Sequence, residues 1–214
     1  MEKFCSITPT RGDRPKLLAH CKWQLSRMTL KPDKSYFIDY KPKNGDKDLI
    51  QRVNYGIIQA QTDGFDKVYI VEDDDFYKSD YFERMAFDGD FIGDQSTTYY
   101  HIINQGFQTE YHRLRASLFT TGFRISSLKR FAINGVKKVF LDIDMWNYAR
   151  QNRLRCKFVD SGAIGIKHGV GITGGIGHKQ GIYKNFDKEW KWLSSRVDSE
   201  SLAFYQGLQK ELRG

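Results

Sequence analysis

At 214 residues and 40% hydrophobic content, the chain can bury a full core as one domain, or as one domain with a small appendage. Charged residues at 28% and aromatics at 14% exclude a disordered polymer. The formal charge of +8, with a pI near 9.3, favours an anionic partner such as nucleic acid, a nucleotide or a membrane surface.

KFCSI reads as a first strand and TPTRGDRP as a loop, with Asp13 placed to cap the helix that follows and Arg14 or Pro15 in its first turn. Leu17, Leu18, Cys21, Leu25 and Met28 then recur at helical spacing. SYFIDY (35–40) is a second strand ending on Asp39, and KPKNGDKD a polar loop. Leu49, Ile50, Val53, Ile57 and Ile58 mark a second helix, and DGFDK turns the chain into a third strand, VYIV. This β-α-β-α-β order predicts an α/β fold with a parallel sheet and helices on both faces. Ligands of such sheets bind beyond the carboxyl ends of the strands, where Thr8–Arg11, Asp39 and Asp73–Asp75 fall.

The second half is less regular. TTYYHIINQGF alternates like an antiparallel edge strand or hairpin, ASLFTTGFRI like another strand, and SSLKRFAINGV like a short helix ended by Gly135. LDIDMWNYARQN is a helix with Asp142 or Asp144 as its cap, and CKFVD a last strand. GIKHGVGITGGIGHKQG holds seven of the 19 glycines and is expected to be a mobile loop. NFDKEWKWLSSRVDSESLAFYQGLQKEL reads as one C-terminal helix.

The third strand runs straight into Glu72, Asp73, Asp74 and Asp75. Such a cluster is either a solvated acidic turn or the seat of a cation. Its place at a strand end, after apolar residues, in a chain that is otherwise cationic, favours a hard ion such as Mg²⁺ or Mn²⁺. Such an ion keeps positions open for substrate phosphates.

SITPTRGDRPKLLAHC resembles the opening of family 2 glycosyltransferases, in which a first strand leads into a Pro-Thr loop and a helix. DLIQRVNYGIIQAQTDGFDKVYIVEDDDFY is similar to their Arg-x-Asn-x-Gly helix and Asp-x-Asp strand end, and FTTGFRISSLKRFAINGVKKVFLDIDMWNYAR to their acceptor segment. The resemblance covers roughly residues 4–168, and the opening together with YYH…HRLRASLFTT also resembles small bacteriophage-encoded glycosyltransferase-like proteins.

It implies a single GT-A domain over 1–214: a nucleotide-sugar-binding half (1–78), an acceptor half (79–168), and a Gly-rich loop with a C-terminal helix (169–214). It further implies that Thr8, Pro9, Thr10 and Arg11 border the nucleotide of a UDP-sugar donor, that Asp39 accepts from the base, and that Arg52 approaches the ribose and diphosphate. Glu72 and Asp73 would face the ribose and sugar, Asp74 would bind the metal with His168, and Asp142 or Asp144 would be the catalytic base of an inverting transfer. Glu72 stands where the family has its first Asp, and Leu141 where a Glu often precedes the base. In the Gly-rich loop, Lys167, His168, His178 and Lys179 can close over phosphates and exclude water.

Basic residues interleaved with Tyr183, Phe186, Trp190 and Trp192 suit a phosphate backbone and an exposed base, so a hydroxymethylated base in phage DNA is the expected acceptor, with a saccharide or protein hydroxyl as the alternative. A sugar nucleotidyltransferase, and a nucleic-acid-binding protein or nuclease, are the rival classes. Cys5, Cys21 and Cys156, an odd number at unrelated spacings, are expected to be reduced packing thiols in a cytoplasmic protein. No apolar run approaches a membrane span, and the first residues lack a signal peptide's apolar core.

Overall fold

A computed structural model describes residues 3–39, 48–131, 133, 140–169 and 183–214. The first half follows the expected order: strand β1 (Phe4–Pro9), helix α1 (Pro15–Ser26), β2 (Lys34–Ile38), α2 (Asp48–Thr62) and β3 (Lys67–Ile70). β1 pairs in parallel with β2 on one side and β3 on the other. Alternation along β1 decides which helix covers which face. Cys5 and Ile7 join Ile50, Val53, Ile57 and Ala60 of α2 in one core, while Phe4 packs with Cys21, Leu25 and Met28 in another. α2 sits close enough on β1 that a Cβ at Gly56 would lie 2.5 Å from Ile7 Cγ2. At the start of α1, Pro15 opens the helix behind Arg14 rather than Asp13, whose carboxylate instead pairs with Arg11.

Beyond β3 come the short helix α3 (Tyr81–Arg84), β4 (Phe91–Gly93), the hairpin β5 (Ser96–His101) and β6 (Gly106–Tyr111), and β7 (Thr121–Arg124). Helix α4 (Leu141–Gln151), β8 (Cys156–Phe158), β9 (Ile164–Lys167), β10 (Asn185–Phe186), α5 (Lys191–Ser194) and α6 (Ser199–Arg213) follow. The main sheet has the order β2-β1-β3-β7-β4-β8. β7 is its one antiparallel member, inserted between β3 and β4, so the sheet is mixed and mostly parallel. The hairpin does not edge that sheet. It forms the middle of a second one, β10-β6-β5-β9, covered by Leu202, Tyr205 and Leu208 of α6.

Three expectations for the second half need correction. CKFVD is not the last strand, since β9 and β10 follow it. The proposed single C-terminal helix is broken: Glu189 and Trp190 take left-handed backbone, Asp187 accepts from the Trp192 and Leu193 amides, and Asp198 caps α6 at Ser201. Among its described residues SSLKRFAINGV opens in a 3-10 turn, Ile125–Leu128, rather than an α-helix; its Gly135 lies outside the described residues, as do residues 40–47 and most of the Gly-rich segment. The described start of that segment is not a loop but β9. Among the described residues no helix is long and apolar enough to cross a membrane. Cys5 and Cys21 are buried free thiols, and Cys156 is a partly buried one.

Candidate metal and phosphate site

β1 and β3 end side by side, and the carboxylates follow β3 directly. What gathers the remaining groups is β9. Ile164 exchanges two backbone hydrogen bonds with Phe76 (2.9 and 3.0 Å), and two residues on the Ile166 amide donates to Asp75 Oδ1 at 2.8 Å. Two residues further, His168 Nε2 stands 3.0 Å from Asp74 Oδ2. Alternate residues of β9 thus step along 76, 75 and 74 in antiparallel sense, and they carry the buried His168 to the acidic turn.

Glu72, Asp74 and Asp75 each offer a carboxylate oxygen, and the three atoms lie within 4.8 Å of one another, a set that could hold a metal ion. The oxygen-donor set fits a hard divalent cation, and one detail supports the fit. Asp75 is 1% exposed, yet its Oδ2 has no hydrogen-bond partner among the described residues. A buried carboxylate oxygen left so is costly unless something else satisfies it.

The electrostatics follow from crowding. Burial, followed by the neighbouring Asp74, pushes the Glu72 carboxyl up to about 7 against the pull of Lys167 and Arg14. Burial likewise raises Asp75 well above the carboxylate range. Burial would also raise Asp74, but His168, Arg14 and Lys167 outweigh it and hold that carboxyl low. Burial acts to lower the Lys167 ammonium, and Asp75, Asp74 and Glu72 more than reverse this. The Lys167 ammonium lies 5.1 Å over the Tyr99 ring.

The other expected residues separate into groups. Asp73 does not share the triad. Its oxygens accept from the Thr10 hydroxyl (2.7 Å) and from Arg14 Nη2 (2.5 Å), so it anchors the loop after β1. Asp75, counted in the acidic cluster but given no separate role by the resemblance, completes the triad. Arg52, buried at 4% exposure, donates to the Thr10 and Ile38 carbonyls and pairs with Asp48, tying the ends of β1 and β2 to α2. Thr8 and Pro9 are buried within β1, whereas Arg11 is partly exposed and Asp39 exposed. Arg14, expected only as a helix-start residue, contacts both Asp73 and Asp74. Lys179 and His178 lie outside the described residues.

Asp142 is the second residue of α4 behind Phe140, so neither it nor Asp144 is the cap. It is buried and ion-paired with Arg115; burial raises its carboxyl while Arg115 pulls it down. Trp146, one turn on, donates to Thr121 Oγ1 at 3.1 Å and packs at Gly93, where β4 ends. The first turns of α4 therefore lie at the same end of the main sheet as the carboxylates. Asp144 is partly buried on the neighbouring face.

The aromatic ladder expected near the C-terminus is largely internal. Tyr183 and Trp190 are buried, and Trp192 stacks on Phe107 at 4.3 Å with Arg196 over its ring. Phe186 alone among the four is widely exposed.

No protein-family model and no curated protein matches the chain. Among solved structures it is similar to the crystal structure of A197 from STIV, at 9% identity and a TM-score of 0.43, over 74% of this chain and 82% of that one. A likeness of that size carries no functional assignment.

Proposed function

We propose that the chain is a GT-A glycosyltransferase that uses a divalent cation and a nucleotide-sugar, with UDP-sugars the first donors to test. The observation that carries this reading is the 3.0 Å approach of His168 Nε2 to Asp74 Oδ2, a member of the carboxylate triad at the ends of β1 and β3. Two cis ligands of an octahedral Mg²⁺ at about 2.1 Å stand about 3.0 Å apart, so the pair is spaced as ligands are. Charge agrees. Four carboxylates face Arg14 and Lys167, which leaves a formal charge of minus two for one divalent ion to neutralise.

Asp74, His168 and a carboxylate from Glu72 or Asp75 would hold the cation. Bound Mg²⁺ or Mn²⁺ supplies charge neutralisation for a departing diphosphate. The chain's own groups do the rest. Thr10 and Asp73 fix the loop that borders the donor, and Lys167 places a positive charge beside the diphosphate. Asp142, at the start of a helix whose dipole favours the anion, takes the proton from the acceptor hydroxyl. A hydroxyl on a nucleobase of DNA is the acceptor that best suits a chain of charge +8.

The test is thermal denaturation with Mn²⁺ and a panel of nucleotide-sugars, paired with donor hydrolysis. Binding to the folded state alone raises the melting temperature. The wild type is expected to show metal-dependent stabilisation by a UDP-sugar and slow metal-dependent hydrolysis. Asp74→Ala is expected to lose both while keeping its fold. Full activity in that variant removes the assignment, and pyrophosphate-dependent cleavage of the donor would assign a nucleotidyltransferase instead.

A further inference from the structure

The position between Asp74 and His168 is already taken by a side chain of the protein itself. Arg14, the residue before α1, extends back across the loop, and its side chain is 14% exposed. Its Nη1 lies 2.6 Å from Asp74 Oδ2 and 3.4 Å from His168 Nε2, while Nη2 lies 2.5 Å from Asp73 Oδ1. Its Nε is buried with no partner among the described residues.

The three groups share one acceptor. If His168 Nε2 carries a proton, its N–H and an N–H of Arg14 Nη1 both donate to Asp74 Oδ2, with the two nitrogens 3.4 Å apart. If Nε2 is bare, it accepts from Nη1 and its lone pair lies beside the Asp74 oxygen. In either case the guanidinium, with donors and no acceptor, stands where a cation would. A cation between Oδ2 and Nε2 would satisfy both atoms, and Nη1, within 3.4 Å of each, stands in its way.

We propose that Arg14 is a resident counter-ion, which holds the cation position while no metal is bound and yields it when a divalent ion enters. Nη1 leaves Asp74, Nη2 keeps its grip on Asp73, and the freed edge of the guanidinium becomes a donor for a phosphate oxygen of the incoming ligand. The exchange is one charged partner for another at Asp74, with no bond made or broken. It gives the chain an ordered sequence: the cation prepares both the metal site and a phosphate-binding arginine. The inference rests on the cation reading above and goes beyond it in assigning Arg14.

Mn²⁺ alone, titrated calorimetrically, is the probe. Arg14→Ala and Arg14→Gln are expected to bind it at least about tenfold more tightly than the wild type, because no side chain competes for Asp74. Without metal they are expected to melt at lower temperature, since Asp73 and Asp74 then lose their shared guanidinium. Should both variants fail to fold, the wild type still decides the matter. Its Arg14 side-chain nitrogen resonances are expected to shift on adding diamagnetic Mg²⁺, from a doubly bonded guanidinium to one held only at Asp73. Equal or weaker Mn²⁺ binding in the variants, or Arg14 resonances that Mg²⁺ leaves unmoved, overturns the exchange while the cation reading stands. Absence of Mn²⁺ binding in every form overturns both.

Discussion

Single residues in this protein are set by what they are forced to share. Asp94, after β4, is 3% exposed and accepts from the Ser161 amide at 2.8 Å and from the Ser161 hydroxyl. Burial pushes its carboxyl up to about 6 against those two bonds. A pKa raised on folding means the native state holds the proton more tightly, so this residue's contribution is fully present below about pH 4 and is lost as pH rises through about 6. Asp94→Asn mimics the protonated form. Relative to the wild type it is expected to gain about 2 kcal/mol between pH 4 and pH 7 in urea unfolding. Parallel stability curves for the two proteins would show that Asp94 titrates normally. The same competition bears on how the expected site residues sort. Asp74 and His168 are expected together from the family resemblance, and their side chains stand 3.0 Å apart. Asp73 and Asp75 are chemically identical neighbours, and only the Thr10 and Arg14 bonds and the Ile166 amide separate a loop anchor from a candidate ligand. Arg14 looks like a helix-start residue until its side chain is seen folded back onto the strand end.

At the scale of elements, the first half was legible because each piece announces itself locally. Helical periodicity alternates with short apolar strands, and the bounds fall within a residue or two of those found. The second half depends on partners distant in sequence. A strand at Thr121–Arg124 can be read from its residues, but not its antiparallel insertion between β3 and β4, nor the second sheet that claims the hairpin. The break in the C-terminal helix had a signal, the aspartates at 187 and 198 ahead of helical runs, which the continuous amphipathic pattern concealed. The packing of α2 on β1 can be tested at Gly56. An alanine there would place its methyl 2.5 Å from Ile7 Cγ2, and Ile7 is fully buried. Overpacking of this kind costs about 1–3 kcal/mol, against roughly 1 kcal/mol of improved helix propensity. Gly56→Ala is therefore expected to destabilise the fold in urea unfolding by up to about 2 kcal/mol. The double variant with Ile7→Ala should be less destabilised than the sum of the two single changes, because the added methyl fills part of the cavity. Strict additivity would mean that α2 does not bear on β1 as described.

For the whole molecule, four carboxylates gather at the turn after β3, while Arg113, Lys129, Arg130, Arg150, Arg153, Lys184 and Lys188 are exposed, as are acidic residues such as Asp88 and Glu189. The four clustered carboxylates outnumber Arg14 and Lys167, so the remainder of the chain is more basic than the net +8 suggests. A surface of that sign attracts a polyanion wherever it approaches, and only a reaction at the sheet end would make the attraction productive. Buried Tyr183 and Trp190 leave Phe186 as the widely exposed ring among the four expected to stack bases, so in the proposed DNA complex phosphate contacts would supply most of the affinity. Binding to DNA should then be dominated by counterion release. With about four phosphates neutralised, affinity is expected to fall about 10²-fold between about 50 and about 200 mM salt. Transfer and binding can be separated on DNA containing 5-hydroxymethylcytosine or 5-hydroxymethyluracil, with Mn²⁺ and a nucleotide-sugar panel, by digesting the product to nucleosides for mass spectrometry. The wild type is expected to leave a sugar adduct whose yield drops with salt. Asp142→Asn should bind the DNA with the same salt slope yet transfer at least about 10²-fold more slowly, as loss of a general base requires. A sugar adduct on a saccharide but on no DNA would reassign the basic surface to donor attraction. Loss of DNA binding and transfer together in Asp142→Asn would place that carboxylate, with Arg115, in the architecture of the DNA-binding face rather than in the chemistry.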